Sequence, residues 1–123
     1  MSTRALTKDT FEATINENEI VVLDFWAEWC GPCRAFAPVY EAASKKYPHV
    51  VFGKVNTEEE PELAGAFEIQ AIPTLMVFRD QIMVFHQAGA LPAPMLTKLI
   101  EQVLALDMDD VRRQIAEADD TPN

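Results

Sequence analysis

The only two cysteines of the 123-residue chain lie two residues apart, in Trp29-Cys30-Gly31-Pro32-Cys33. Thiols at this spacing can close, open and exchange a disulfide with little chain movement. The apolar run of residues 20–26, interrupted only by Asp24, comes immediately before them, and a segment with helical spacing follows. The pair therefore falls where a buried strand gives way to a helix. Unpaired backbone N–H groups and the helix dipole favour an anion there, so Cys30 should be the more readily ionised, attacking thiol. Cys33, one turn further in, is placed to attack a mixed disulfide formed on Cys30. Gly31-Pro32 keeps the turn tight, because proline presets its own φ and is tolerated in a first helical turn.

Two blander readings compete. A disulfide that merely staples the fold would close a very short loop and constrain little of the unfolded chain. A tetrahedral structural zinc site needs four ligands, and only His49 and His86 remain as nitrogen donors, in different strand regions. Neither histidine has a constellation around it, and both read as surface or strand positions. Asp24 is the other anomaly. A carboxylate inside an apolar strand is costly unless paired, and burial raises its pKa. Lys54, on a neighbouring strand, offers a structural ion pair as the plain explanation.

The elements that must hold these residues follow from periodicity. Residues 3–6 read as a short edge strand, and Thr7 or Asp9 caps a helix through Asn16 with Phe11 and Ile15 on one face. Residues 20–26 have few polar positions, which predicts a central strand covered on both sides, with Trp26 packed beneath the cysteines. Phe36, Val39, Tyr40 and Ala43 predict a helix to about Tyr47, kinked at Pro38. Residues 50–56 form the next strand, and Glu58-Glu59-Glu60-Pro61 opens a third helix, a solvated start with acids suited to its dipole. Ala71-Ile72-Pro73-Thr74 breaks the pattern. Residues 75–78 and 82–87 are joined too closely for a crossover and must pair antiparallel, with Met76 and Met83 as core filler or strand surface. Leu96, Leu99, Ile100, Val103 and Leu106 mark a final helix. The order predicts an α/β fold with a mixed five-stranded sheet and helices on both faces.

Composition narrows the function classes. Nearly half the residues are apolar, so the chain can build a core, and its formal charge of -10 argues against nucleic acid. No segment approaches the ~20 apolar residues that span a bilayer, and the amino terminus has no apolar secretory core. A cytoplasmic protein is expected, and in a reducing compartment a solitary cysteine pair is catalytic or metal-binding more often than structural.

The segment Asp24-Phe25-Trp26-Ala27-Glu28-Trp29-Cys30-Gly31-Pro32-Cys33-Arg34 resembles the active-site segment of thioredoxins. Four further motifs agree in order: Pro38, Lys54-Val55-Asn56, Ile72-Pro73-Thr74 and Gly89-Ala90. The resemblance spans about residues 3–106 and implies the thioredoxin fold. It also implies a general protein-disulfide reductase in which Cys30 is the nucleophile and Cys33 the resolving thiol. Members of this family are a standard example of a cysteine held below its ordinary pKa, so for Cys30 that lowering is part of the resemblance. Gly31-Pro32 is typical of reductant members, whereas a histidine there would stabilise the thiolate and make the disulfide more oxidising.

The resemblance further implies that Asp24 is a buried acid taking the Cys33 proton, with Lys54 tuning it. Pro73 alone could be a strand-start proline. In the family its preceding bond is cis, which would set Ile72 beside the cysteines with backbone groups open to a substrate chain. Trp29, Gly31, Pro32, Ile72, Pro73, Gly89 and Ala90 would form a small apolar patch for disulfide-bearing protein substrates. No cofactor is expected to bind, since there is no glycine-rich nucleotide loop. Electrons would come from NADPH through a separate thioredoxin reductase, and the protein would act as a monomer with neither membrane nor nucleic acid as partner.

Three departures stand out. The hairpin turn Asp80-Gln81 lacks the usual glycine, leaving its geometry open. Ala71 replaces another small residue. Residues 107–123 extend past the domain of residues 1–106 and hold six acids against two arginines. In that tail Met108, Val111 and Ile115 have helical spacing, so a short helix with a disordered end is expected. The tail also keeps one alternative open: a dedicated electron donor or holdase for a narrow set of partners. Separately, a binding module that uses the fold as scaffold would keep its function without either cysteine.

Overall fold

A computed structural model of the chain describes residues 3–120. The elements are β1 (Thr3–Ala5), α1 (Lys8–Glu17), β2 (Ile20–Trp26), α2 (Gly31–Lys46), β3 (Val51–Asn56), α3 (Pro61–Ala66), β4 (Thr74–Arg79), β5 (Ile82–Ala88), α4 (Ala93–Leu104) and α5 (Met108–Asp120). The strands form one sheet in the order β1-β3-β2-β4-β5. β1, β3 and β2 run parallel, while β4 is antiparallel to β2 and β5 to β4. This is the mixed five-stranded sheet expected from the pattern and the resemblance. The disordered end expected for the tail falls on residues 121–123, outside the described residues.

Alternation along β2 sorts its side chains between two cores. Ile20 and Val22 pack with Phe36 and Tyr40 of α2 and with Leu96, Leu99 and Ile100 of α4. Val21, Leu23 and Phe25 pack on the opposite face with Ile15 and Phe11 of α1 and with Leu63 and Phe67 beside α3. The first six residues of β2 are all buried. Asp24 shares the parity of Ile20 and Val22 and so belongs to the α2 layer.

Helix ends follow local chemistry. The Thr7 N–H donates to Thr10 Oγ1 at 3.0 Å at the start of α1. α2 runs on through Pro38, which removes one donor from the helix without ending it. The acids at 58–60 precede α3 instead of opening it. Asn56 Oδ1 accepts from the Glu58 and Glu59 N–H groups in a turn, and the helix begins at Pro61. Gly53 allows a close approach, since a Cβ there would stand 2.6 Å from Leu6 Cδ1 and would force that side chain to move.

The hairpin turn is made by two residues in the left-handed region, Asp80 at φ 52° and Gln81 at φ 68°. That conformation closes a two-residue turn with the right twist, but it disfavours a side chain with a Cβ. Aspartate tolerates it better than glutamine. We expect Gln81→Gly to raise stability by about 1 kcal/mol in urea denaturation, through relief of that strain. A loss of stability would mean that the Gln81 side chain outweighs it.

Candidate active site

Cys30 and Cys33 form a disulfide at the N-terminus of α2, with Cα atoms 5.2 Å apart. Cys30 is the N-cap residue, and its sulfur accepts the Cys33 N–H at 3.2 Å. One of the helix's orphan donors therefore points at this sulfur, which favours negative charge on it. Gly31 and Pro32 form the exposed first turn. Arg34 Nη1 donates to the Glu28 carbonyl at 2.7 Å and braces the loop that leads into the helix.

The Ile72-Pro73 peptide bond is cis. The Ile72 carbonyl oxygen lies 3.7 Å from Cys30 Sγ, so the break between α3 and β4 is brought directly against the disulfide. Pro73 is itself buried, so Ile72 alone presents the outer face of this pair. The Gly89 N–H donates to the Pro73 carbonyl at 2.7 Å, and Gly89 has φ 104°. Glycine is needed there because the chain must leave β5 through a conformation that other residues rarely adopt. Gly89 and Ala90 are both exposed.

Trp29 is 67% exposed, and its Nε1 donates to Glu58 Oε1 at 2.7 Å. Shallow clefts flank the disulfide. One is lined by Trp29, Thr57, Ile69, Gln70 and Ile72. The other runs between Pro32, Ala35, Phe36 and Val39 on α2 and Ala90-Leu91-Pro92 before α4. The two sulfurs are largely covered, each cysteine being 3% exposed. The disulfide thus sits almost covered, with the two clefts on either side.

Asp24 lies in β2, the strand that leads to the disulfide. It is 1% exposed, and neither carboxylate oxygen has a hydrogen-bond partner among the described residues. Burial raises its pKa from 3.8 to about 7, and the positive charge of Lys54 opposes that rise. Asp24 and Lys54 are register partners on β2 and β3, yet they form no direct ion pair among the described residues. Lys54 Nζ instead lies 4.6 Å from the Trp26 ring centroid, a cation–π contact. It lines a cleft of about 370 Å³ between β1, Trp26 and the turn after β3. The ion-pair reading therefore gives way to a field acting through space. Tyr40, also buried in this layer, shares its hydroxyl between the Val22 and Gly53 carbonyls at 3.0 and 2.7 Å. Burial, then the Asp24 charge, hold its pKa well above the usual tyrosine value.

Comparison with known proteins decides the family. The thioredoxin family description matches residues 2–102. The chain is 58% identical to a putative thioredoxin 2 of Streptomyces coelicolor over 116 residues, 94% of this chain and 87% of that one. It is 43% identical to thioredoxin 1 of Synechococcus elongatus over 102 residues, 81% of this chain and 95% of the relative. The solution structure of the oxidised thioredoxin from Plasmodium falciparum superposes with a TM-score of 0.75 at 38% identity, covering 84% of this chain and 99% of that one. The chain belongs to the thioredoxin family. It is a thiol-disulfide oxidoreductase whose redox-active centre is the Cys30–Cys33 disulfide.

Seen as a thioredoxin site, the geometry includes partners that sequence reasoning missed. Glu58 belongs by sequence to a solvated acidic helix start, yet it holds the Trp29 indole; the signal is Asn56, whose side chain shapes the turn that presents Glu58. Tyr40 has in sequence only the signature of an apolar helix face, yet its hydroxyl bridges two strands. Among the described residues, no group of three or more His, Cys, Asp or Glu side chains is placed to hold a metal. No described helix is long and apolar enough to cross a membrane.

The Asp24 shift has a stability consequence. Its folded pKa is raised above the unfolded value, so the folded state binds the extra proton. The protonated form's advantage is complete below about pH 4 and is lost as pH rises through about 7. Three units correspond to about 4 kcal/mol of differential stability. Asp24→Asn should accordingly match the parent at pH 4 and exceed its stability by a few kcal/mol at pH 8, in urea denaturation at both values. Equal stability at pH 8 would show that Asp24 ionises there without penalty.

Proposed function

We propose that this thioredoxin is a general reductant of protein disulfides. The carrying observation is a disulfide at a helix N-terminus together with, on the strand that leads to it, a buried carboxyl group whose pKa is raised to about 7. A group poised there can take and return a proton at neutral pH.

In the dithiol form, the Cys30 thiolate attacks one sulfur of a substrate disulfide. A Cys30–substrate bond forms, and the first substrate thiolate leaves with an electron pair. Asp24, with Lys54 setting its affinity for protons, takes the Cys33 proton. The Cys33 thiolate then attacks Cys30 Sγ, the intramolecular disulfide closes, and the second substrate thiolate departs. Two electrons pass to the substrate. A separate NADPH-linked thioredoxin reductase returns them in a reducing, cytoplasmic setting, and the protein acts as a monomer.

Substrate would lie along Trp29, Gly31, Pro32, Ile72 and Ala90, where the Ile72 backbone adds a short strand-like contact. The buried Pro73 ring holds that edge in place, and the exposed Gly89 turn is tied to it through the Pro73 carbonyl. A shallow apolar patch of this kind suits weak recognition of many partners.

Insulin reduction coupled to NADPH and thioredoxin reductase is the direct assay. Cys30→Ser should abolish turnover, and Cys33→Ser should accumulate covalent partner adducts that dithiothreitol releases. Asp24→Asn should slow single-turnover resolution at pH 7 by at least about tenfold, with a smaller effect at pH 9, where hydroxide can take the thiol proton in its place. Retained turnover in Cys30→Ser would refute the mechanism, and an unchanged resolution rate would remove Asp24 from it.

A further inference from the structure

The sheet has two ends of different construction. β2 leads to the disulfide at its C-terminal end, and antiparallel β4 begins there, at Thr74 after the Ile72-Pro73 bond. The other end of β4 is paired with the start of β2, Arg79 opposite Ile20. Six strand residues separate these ends, on the order of 20 Å.

At this far end α5 returns along the hairpin. Met108 is buried, and Arg112 is held 3.4 Å from Asp80 in the turn. Arg79 Nη1 donates to the Val103, Leu104 and Leu106 carbonyls at 2.6, 3.2 and 2.9 Å, fixing the C-terminal end of α4 from which α5 departs. Between β5 and α5 lies an open, mainly apolar groove of about 330 Å³. Met83, Val84, Leu106, Val111, Ile115 and Ala118 line it, and Met83 and Ile115 remain 41% and 42% exposed.

The charge around the groove is one-sided. The tail carries six acids against two arginines. Both arginines are engaged: Arg112 by Asp80 and Asp109, and Arg113 by Asp110. The whole chain is at -10. A second copy would bring an equally acidic α5 against this one, and an anionic lipid surface would also be repelled. The alignment with the Streptomyces coelicolor relative leaves only seven of the 123 residues outside. It therefore runs well into α5 whichever end they fall at.

We infer that the groove between β5 and α5 is a second protein-docking surface, remote from the redox disulfide, for a partner segment with apolar side chains flanked by lysine or arginine. Apolar side chains of such a segment enter beside Met83 and Ile115, and its cations meet the carboxylates of α5. A partner held there leaves Trp29 and Ile72 free, so docking and disulfide exchange can proceed together.

The test uses the full chain and a fluorescent amphipathic peptide of leucine and lysine, about 18 residues long, against a scrambled peptide of the same composition. The amphipathic peptide should bind at least about fivefold more tightly than the scramble, and Ile115→Gln and Met83→Gln should each weaken it at least about threefold. Glu117→Gln with Asp119→Asn should reduce its salt dependence, and amide shifts should map to β5 and α5. Insulin reduction should be unchanged at saturating peptide. Equal affinity for the scramble, unchanged binding in the groove variants, shifts centred on Trp29 and Ile72, or inhibited insulin reduction would each overturn the inference. So would sedimentation showing a dimer that Ile115→Gln dissolves, since that assigns the groove to a second copy.

Discussion

The enclosure of β2 on both faces is the constraint on which the rest of the structure depends. A strand buried on each side can be placed only at the centre of the sheet, and its alternation then feeds both cores. One of those inward positions is Asp24. Its carboxyl group cannot be well hydrated, lacks a hydrogen bond among the described residues and feels Lys54 only through space. The same burial that stabilises the sheet therefore moves this acid into the range where a proton can be exchanged at neutral pH.

The reactive pair is assembled by elements distant in sequence. α2 contributes a directed N–H to Cys30, and the Ile72 carbonyl approaches from 42 residues away. Gly89 ties that loop to the end of β5 through the Pro73 carbonyl. Trp29 is oriented by Glu58 from the turn after β3. Loops at one end of a rigid sheet carry the chemistry, while the strands fix their separation. The same frame leaves both sulfurs almost covered.

The opposite end of the sheet is built by different means. Arg79 gathers the carbonyls at the end of α4, where a cation is favoured by the helix dipole. The left-handed Asp80-Gln81 turn offers Asp80 to Arg112. The tail is thereby held as a separate helix alongside β5, with its apolar stripe only partly covered.

Much of the site was legible in the sequence because its chemistry is local. Two cysteines at the start of a helix, a lone carboxylate in an apolar strand and the order of strands and helices are all properties of spacing. Those features determined the architecture, the redox pair and the identity of the buried acid. Tertiary structure alone decided what those residues meet. It set Lys54 over Trp26 instead of against Asp24, buried Pro73 while leaving Ile72 at the surface, and gave Glu58 to Trp29. It also turned an ambiguous tail into a helix with a groove beneath it. Each of these depends on which side chains from remote segments share one volume, and on how much water they exclude. Periodicity shows which face of an element is buried; only the packed chain shows against what, and burial against a particular neighbour is what sets a charge, a proton or a contact.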